Sequence, residues 1–480
     1  MGDGPDPPHA GRRATRRGIL AAGAATAAAA LGGCAWFQAG SPRRTAAPVK
    51  AAASPHILRI RPGFIQETTI PLMKQTWQPW LDQNPGVEID LMSGLGRQQA
   101  TATSMLAGQG PDVFADWVVP LFTSQHLLLD LTNYVKQSNV NLANYPQKDL
   151  ALFQQGGGLW GLPSYLHLTA PAVNLSVLDG LGLTYPESGW TWQEWGQLWQ
   201  SSALRSTSPA RSRVGYNWSW DGYDYYGSNP QAHYLKGFGG EYVDPTDGTK
   251  CYLSAPGSVA CLEWIYGLNT EKVTAVSGGD FTTGSLVTSN FATNVVAQLV
   301  GPWSKLKWQL YDEPIYPQAA TAYAASDFFA ISALAPRPDI AWSFFEYVAV
   351  GAQWQRQMMH LIGMGPNQIA LWPEWVAALK AEAPPLADKD LDVFVRQVQG
   401  NQPYFGLVFA YQDAAAGNAI NAQTLPAQQG RTSVATATAQ AVTQVDGIEA
   451  AGAAEVGSAL QAQKAFPTQG GAIAVAPTGF

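Results

Sequence analysis

Positions 217–226 read Asn-Trp-Ser-Trp-Asp-Gly-Tyr-Asp-Tyr-Tyr, so Trp218, Trp220, Tyr223, Tyr225 and Tyr226 alternate with Asn217, Asp221 and Asp224. Aromatic rings beside carboxylates and amides make a surface for a polyhydroxylated ligand. The rings cover its C–H face, and the polar groups accept its hydroxyl protons and reject analogues that lack them. Each stacked face hides on the order of 50 Å², worth about 1 kcal/mol at ~25 cal/mol/Å². The chain holds 18 Trp, too many for one site. Trp77, Trp80, Trp195, Trp199, Trp342 and Trp354 fall at helical spacing and are expected in cores. Tryptophans on turns between a strand and a helix remain candidates, because open α/β sheets take ligands at the carboxyl ends of their strands.

Other chemistries leave little trace. No Gly-Lys dipeptide occurs, which removes a Walker A loop, and there is no G-x-S-x-G elbow. The six histidines (His9, His56, His126, His167, His233 and His360) form no H-E-x-x-H. A formal G-x-G-x-x-G spans Gly156–Gly161, but it leads into Leu-Pro instead of opening a helix, so the phosphate cradle is absent. No metal-ligand set or cofactor motif stands out. Carboxylate-pair glycosidases carry no short signature, so a secreted carbohydrate-active enzyme, with Glu67 and Asp116 as acid and nucleophile, stays open at this point.

The N-terminus indicates where such a surface would work. Arg12, Arg13, Arg16 and Arg17 precede an apolar run from Gly18 to Leu31, too short for the roughly 20 residues of a bilayer-spanning helix and therefore read as an export signal. Thr15-Arg16-Arg17-Gly18-Ile19-Leu20 resembles the twin-arginine export consensus, and Leu31-Gly32-Gly33-Cys34 a bacterial lipobox. Residues 1–33 are expected to leave, Cys34 to carry lipid, and residues 34–54 to form a flexible stalk. The protein would face the extracytoplasmic side of the cell membrane. Losing four arginines and two aspartates takes the formal charge from −7 to about −9, which disfavours nucleic acid as a partner. Cys251 and Cys261 then remain, able to pair in an oxidising compartment or to stay as two buried thiols.

The elements that must position the aromatic residues begin at His56. Residues 56–61 alternate as a strand, 68–83 have helical spacing, 87–92 form a second strand, 97–110 a second helix and 111–117 a third strand. That succession predicts a parallel, doubly wound sheet. Further helices are expected at 191–204, where Thr191 and Glu194 make a capping box, and at 255–268, 339–351 and 387–398. One long Ala- and Gln-rich helix is expected from Thr432 to about Lys464. The chain is too long for one core, which predicts two lobes.

In this order the segments resemble the extracellular solute-binding proteins of ATP-driven sugar importers, the family that includes maltose-binding protein. The resemblance covers nearly all of residues 56–430. It is carried by "GQGPDVFADW" (108–117), "GGLWGLPSYLHLTAPAVNLSVLDGLGL" (157–183), "GWTWQEW" (189–195), "FTTGSLVTSNFATNVVAQLVGPWSKLKW" (281–308) and "ASDFFAISALAPRPDIAWSFFEYV" (325–348). It implies a type II periplasmic-binding-protein-like α/β fold, two doubly wound lobes joined by a hinge with a ligand cleft between them. Lobe 1 would comprise 55–165 and a return at 326–370, lobe 2 would comprise 166–325, helices at 371–465 would pack mainly on lobe 2, and 466–480 would fray. By position the cleft would be lined by Gln66, Glu67, Asp116, Trp117, Tyr165, His167, Trp218, Trp220, Asp221, Phe328 and Tyr404 (with Phe405), and Trp303 would be the stacking platform. For His167 a satisfied interior histidine is an equal alternative. The resemblance further implies a monomeric, non-enzymatic receptor that passes a saccharide to a membrane permease. A polyamine, metal or peptide is the rival cargo.

Overall fold

The computed structural model describes residues 56–62, 70–92, 98–116, 119–206, 212–217, 232–244, 246, 248–275, 279–293, 296–405 and 409–465. The export segment, Cys34 and the stalk, Gln66, Glu67, Trp117, Trp218, Trp220, Asp221 and the tail at 466–480 lie outside them.

Strand β1 (His56–Arg61) buries Leu58 and Ile60 completely. Helix α1 (Ile70–Gln83) buries Met73, Trp77 and Trp80, and both indoles meet Phe344 edge-on. After a turn at Gly86 (φ +93°) come β2 (Val87–Leu91), α2 (Gln98–Leu106) and β3 (Val113–Asp116). β1 pairs in parallel with both β2 and β3, as the alternation predicts. Helices α3 (Val119–Ser124), α4 (Thr132–Gln137) and α5 (Gln147–Leu152) lead to a hairpin of β4 (Gln154–Gln155) and β5 (Gly158–Leu159). Gly156 and Gly157, at φ +58° and +82°, form its turn. No helix follows the glycine run, which ends in β6 (Leu162–Asn174), thirteen residues buried throughout.

The Asn174 side chain caps α6 (Leu175–Leu181) by accepting the Val177 N–H. Helix α7 (Trp192–Ser202) starts with the expected capping box, Thr191 and Glu194 each bonding the other's backbone N–H. Next come β7 (Tyr216–Asn217), α8 (Ala232–Gly237), α9 (Pro256–Thr270), β8 (Thr274–Ala275), β9 (Thr288–Ala292), α10 (Val296–Trp303) and β10 (Trp308–Leu310). The chain returns through β11 (Ala322–Ile331) to α11 (Pro338–Phe345), a π-helical turn at Glu346–Val350 and α12 (Ala352–Ile362). It ends with α13 (Trp372–Glu382), α14 (Asp392–Gln399), β12 (Pro403–Phe405), α15 (Asp413–Gln428) and α16 (Val434–Ala465).

Eight strands form one mixed sheet in the order β10-β6-β11-β3-β1-β2, with β12 beside β11 and β9 beside β6. The buried apolar side chains fall into three clusters. The first joins residues from Leu58 to Tyr165 with Phe328 to Met364 and is the core of one lobe. The second runs from Val173 to Tyr316 and takes in Phe409 to Val445 of the C-terminal helices. The third packs the middle of β6 against Phe291, Trp303, Trp308 and α13–α14. All six helical tryptophans expected in cores are at most 8% exposed.

Helix α16 docks on α15 through Val434, Ala437, Ala441 and Val445, a stripe at helical spacing. Glu449 on the same helix is 1% exposed and accepts the Tyr411 and Gln412 N–H groups, each at 2.8 Å, at the N-terminal end of α15. Of the two alternatives for Cys251 and Cys261, the structure has the buried thiols: both are free. Each packs in the second cluster as a small apolar side chain, Cys261 from within α9 and Cys251 with its N–H held by Asp446 at 2.9 Å. Burial pushes the Cys251 thiol up to about 12.

Candidate functional site

β6 and β11 are antiparallel partners that run from the first cluster into the other two, so their shared stretch is the junction between the lobes. Along it Leu166 pairs Ser326, His167 pairs Ala325 and Leu168 pairs Ala324. The register shifts between Asp327 and Phe328, a bulge beyond which Phe328 and Phe329 pair with Pro163 and Leu162 of β6 and, on the other side, with Asp116 and Ala115 of β3. The two faces differ in chemistry. Leu166, Leu168, Ala170 and Ala172 enter the third cluster with Ala324 and Phe291. The alternate residues Tyr165, His167 and Thr169 occupy the other face, and the register adds Tyr323 from β11 and Asn290 from β9, which lies opposite Pro171. Further along β6 this face is closed by the second cluster through Val173. The polar stretch therefore lies between the two lobe cores.

Tyr165 and His167 are 2% and 5% exposed, their rings edge to face at 4.6 Å. Tyr323 faces the buried His233 ring at 6.2 Å. His233 belongs to α8, the element that follows the aromatic stretch in sequence. Its imidazole is 3.8 Å from Glu313, whose other oxygen accepts the Tyr316 hydroxyl at 3.0 Å. Thr321 donates to the His233 carbonyl at 2.9 Å. These bonds fasten α8 to the segment that enters β11. Burial, together with the nearby Glu313, raises the Tyr316 phenol well above its ordinary range. On the other side of the junction Asp149 of α5 is fully buried. Desolvation holds its carboxyl well above the usual carboxylate range, and the Ser326 hydroxyl offsets only part of that.

Two residues expected to touch the ligand are committed elsewhere. Trp303, the expected stacking platform, ends α10 and is 5% exposed. Its ring packs on Phe281 at 4.4 Å, Trp308 at 5.1 Å and Phe291 at 6.1 Å, so its faces are taken by the third cluster. Phe328 is fully buried past the bulge, against Phe153 at 5.2 Å and Phe114 at 6.3 Å in the first lobe. Asp116 closes β3 with its backbone opposite Phe328, and Tyr404 stands in β12 opposite Tyr323. Asn217, where the aromatic stretch starts, is the last residue of β7. Thr169, Tyr323 and Asn290 join this face without a motif of their own in the sequence. The one local signal for Thr169 is the alternation through Leu166-His167-Leu168-Thr169-Ala170.

Among the described residues no group of three His, Cys, Asp or Glu side chains could hold a metal ion. None of the helices among those residues is long and apolar enough to cross a membrane.

Solved structures share this architecture. An ABC substrate-binding protein from Listeria monocytogenes in complex with cycloalternan aligns over 82% of this chain and 99% of its own, at TM-score 0.65 and 14% identity. The cyclic alpha-maltosyl-1,6-maltose binding protein from Arthrobacter globiformis aligns over 83% and 100%, at 0.65 and 16%. The sugar-binding protein MalE from Xanthomonas citri aligns over 82% and 98%, at 0.65 and 17%. At such identities the likeness establishes the fold, the two-lobed type II arrangement of periplasmic binding proteins. No curated protein matches the sequence. Residues 68–350, more than half of the chain, match the sequence pattern of the bacterial extracellular solute-binding proteins, and the chain belongs to that family.

Proposed function

We propose that this protein binds a saccharide, a single sugar or a short oligosaccharide, at the crossover between its lobes and presents it to the permease of an ABC importer, breaking no bond itself. The observation that carries this reading is the face of β6 with Tyr165, His167 and Thr169. It is polar and aromatic, it lies between two lobe cores, and it belongs to a solute-binding family. Structures of the same fold hold cycloalternan and mannotriose, and these neutral polyols suit such a face. The aromatic stretch that starts at Asn217 would add the stacking surface from the second lobe. Ligand contacts to both lobes at once would drive closure about the junction of β6 and β11. Lipid on Cys34, with 34–54 as the stalk, would hold the monomer at the outer face of the membrane.

Thermal unfolding against mono- and oligosaccharides, with spermidine, metal ions and peptides as controls, tests the reading. A ligand at 100 times its Kd adds about 2.7 kcal/mol, a readable shift. A shift with one saccharide class supports the proposal. A shift with spermidine alone replaces the cargo, and release of reducing sugar by the purified protein overturns the receptor.

A further inference from the structure

The face described at the crossover carries two polar atoms that the fold itself does not use. On β9 the Asn290 amide nitrogen donates to the Tyr216 hydroxyl oxygen at 2.9 Å, and that oxygen also takes the Tyr234 hydroxyl at 3.3 Å. The phenol orients the amide, and the Asn290 Oδ1 is left buried with no hydrogen-bond partner. On β6 the Thr169 backbone carbonyl is engaged by Gln397 Nε2 at 3.0 Å, yet its Oγ1 is buried with none. Neighbouring threonines show what happens to a hydroxyl that the fold needs. Thr288 Oγ1 accepts from Trp199 Nε1 at 2.8 Å and donates to the Gly215 carbonyl at 2.7 Å. Thr293 Oγ1 accepts from the Leu168 N–H at 3.0 Å and donates to the Leu166 carbonyl at 3.1 Å. Against these satisfied hydroxyls, Thr169 and Asn290 stand out as unfilled.

A buried acceptor without a donor destabilises the ligand-free protein. Thr169 lies opposite Ala292 and Asn290 opposite Pro171, one step along the ladder on the same face, so the two open groups are diagonal neighbours. We propose that Asn290 and Thr169 form a hydroxyl-reading pair. The amide oxygen accepts one ligand hydroxyl proton, and the threonine hydroxyl exchanges a hydrogen bond with another. Both groups are uncharged, so the pair selects a neutral polyol by the placement of its hydroxyls and gives a polyamine no counter-charge. Tyr216 is a positioning residue that holds the amide by its nitrogen so that the oxygen stays open. This inference rests on the saccharide reading and narrows it to two atoms.

Thr169→Val keeps shape and deletes only the hydroxyl, whereas Asn290→Leu deletes the amide together with its bond to Tyr216. The full-length protein and both variants are unfolded thermally without ligand, then titrated calorimetrically with maltotriose, mannotriose and cyclic alpha-maltosyl-1,6-maltose. The midpoint of Thr169→Val should equal or exceed that of the parent, and the midpoint of Asn290→Leu should fall by no more than about 3 °C. Affinity for whichever saccharide the parent binds should drop at least tenfold in each variant. A Thr169→Val midpoint several degrees lower would show the hydroxyl serving the fold and overturn the pair. Binding within twofold of the parent would overturn the pair alone. If the parent binds none of these three and no saccharide of the thermal-unfolding panel, the saccharide reading falls and this inference with it.

Discussion

Replacing Trp303 with alanine distinguishes a core tryptophan from a stacking platform. The ring is 5% exposed and touches Phe281, Trp308 and Phe291 at centroid distances of 4.4, 5.1 and 6.1 Å. A buried tryptophan hides about 150–250 Å². At ~25 cal/mol/Å² that corresponds to about 4–6 kcal/mol, part of which the alanine methyl retains. Measured truncations of buried aromatics cost about 3–5 kcal/mol once the residual cavity is counted, and the edge-on contact with Trp308 adds to the loss. The expected loss is about 4 kcal/mol in the ligand-free protein. Urea unfolding followed by both far-UV circular dichroism and tryptophan emission is the assay, because two probes reveal whether the lobes unfold together. Trp303→Phe, which keeps an aromatic ring in the cluster, should recover more than half of the loss. A ligand-free stability within about 1 kcal/mol of the parent, combined with a tenfold fall in saccharide affinity, would refute the core assignment.

Thr191→Ala removes one half of the capping box on α7 and should cost about 1 kcal/mol, read by urea denaturation. Glu449→Ala leaves the Tyr411 and Gln412 N–H groups without their acceptor and should cost about 2–4 kcal/mol. Hydrogen exchange should quicken first in the opening turn of α15. Asp149 has a raised carboxyl, so between the ordinary unfolded value and the higher folded one the native chain keeps a proton that the unfolded chain releases. That contribution is complete at acid pH and is lost as pH rises. Asp149→Asn should therefore gain on the parent in thermal midpoint from pH 5 to pH 8, and parallel curves would contradict the assignment. Cys34→Ala should move the exported protein from the detergent phase to the aqueous phase, and retention in detergent would place the anchor elsewhere.

The first half of the fold was legible because its elements are amphipathic and joined by short turns. Leu58 and Ile60 alternate in β1, and Met73, Trp77 and Trp80 recur at helical spacing in α1, so local pattern and final burial coincide. The capping box of α7 is local chemistry and was read directly. What escaped depends on contacts between distant residues. Trp303 is expected as the stacking platform from the family resemblance of its Gly-Pro-Trp segment, yet it ends α10, and only Phe281, Phe291 and Trp308 reveal that its indole is internal. The spacing of Cys251 and Cys261 permits a bridge, but α9 carries Cys261 into an apolar cluster where burial keeps its thiol protonated. Thr169 and Asn290 acquire meaning only when the register of β6 and β9 sets them on one face.

The way the clusters are stitched together also bears on how the polypeptide is made. The first cluster opens with Leu58 and closes only with residues up to Met364, and the second opens with Val173 and closes only with Val445 of α16. A ribosome releasing the chain from its N-terminus has therefore synthesised three quarters of it before either lobe possesses a complete interior. Among the described residues, no cluster is finished by a fragment ending ahead of α11, so such a nascent segment leaves apolar surface for chaperones to cover. Helix α16 then acts as a latch, and the second lobe completes its interior only when Val434 to Val445 have docked.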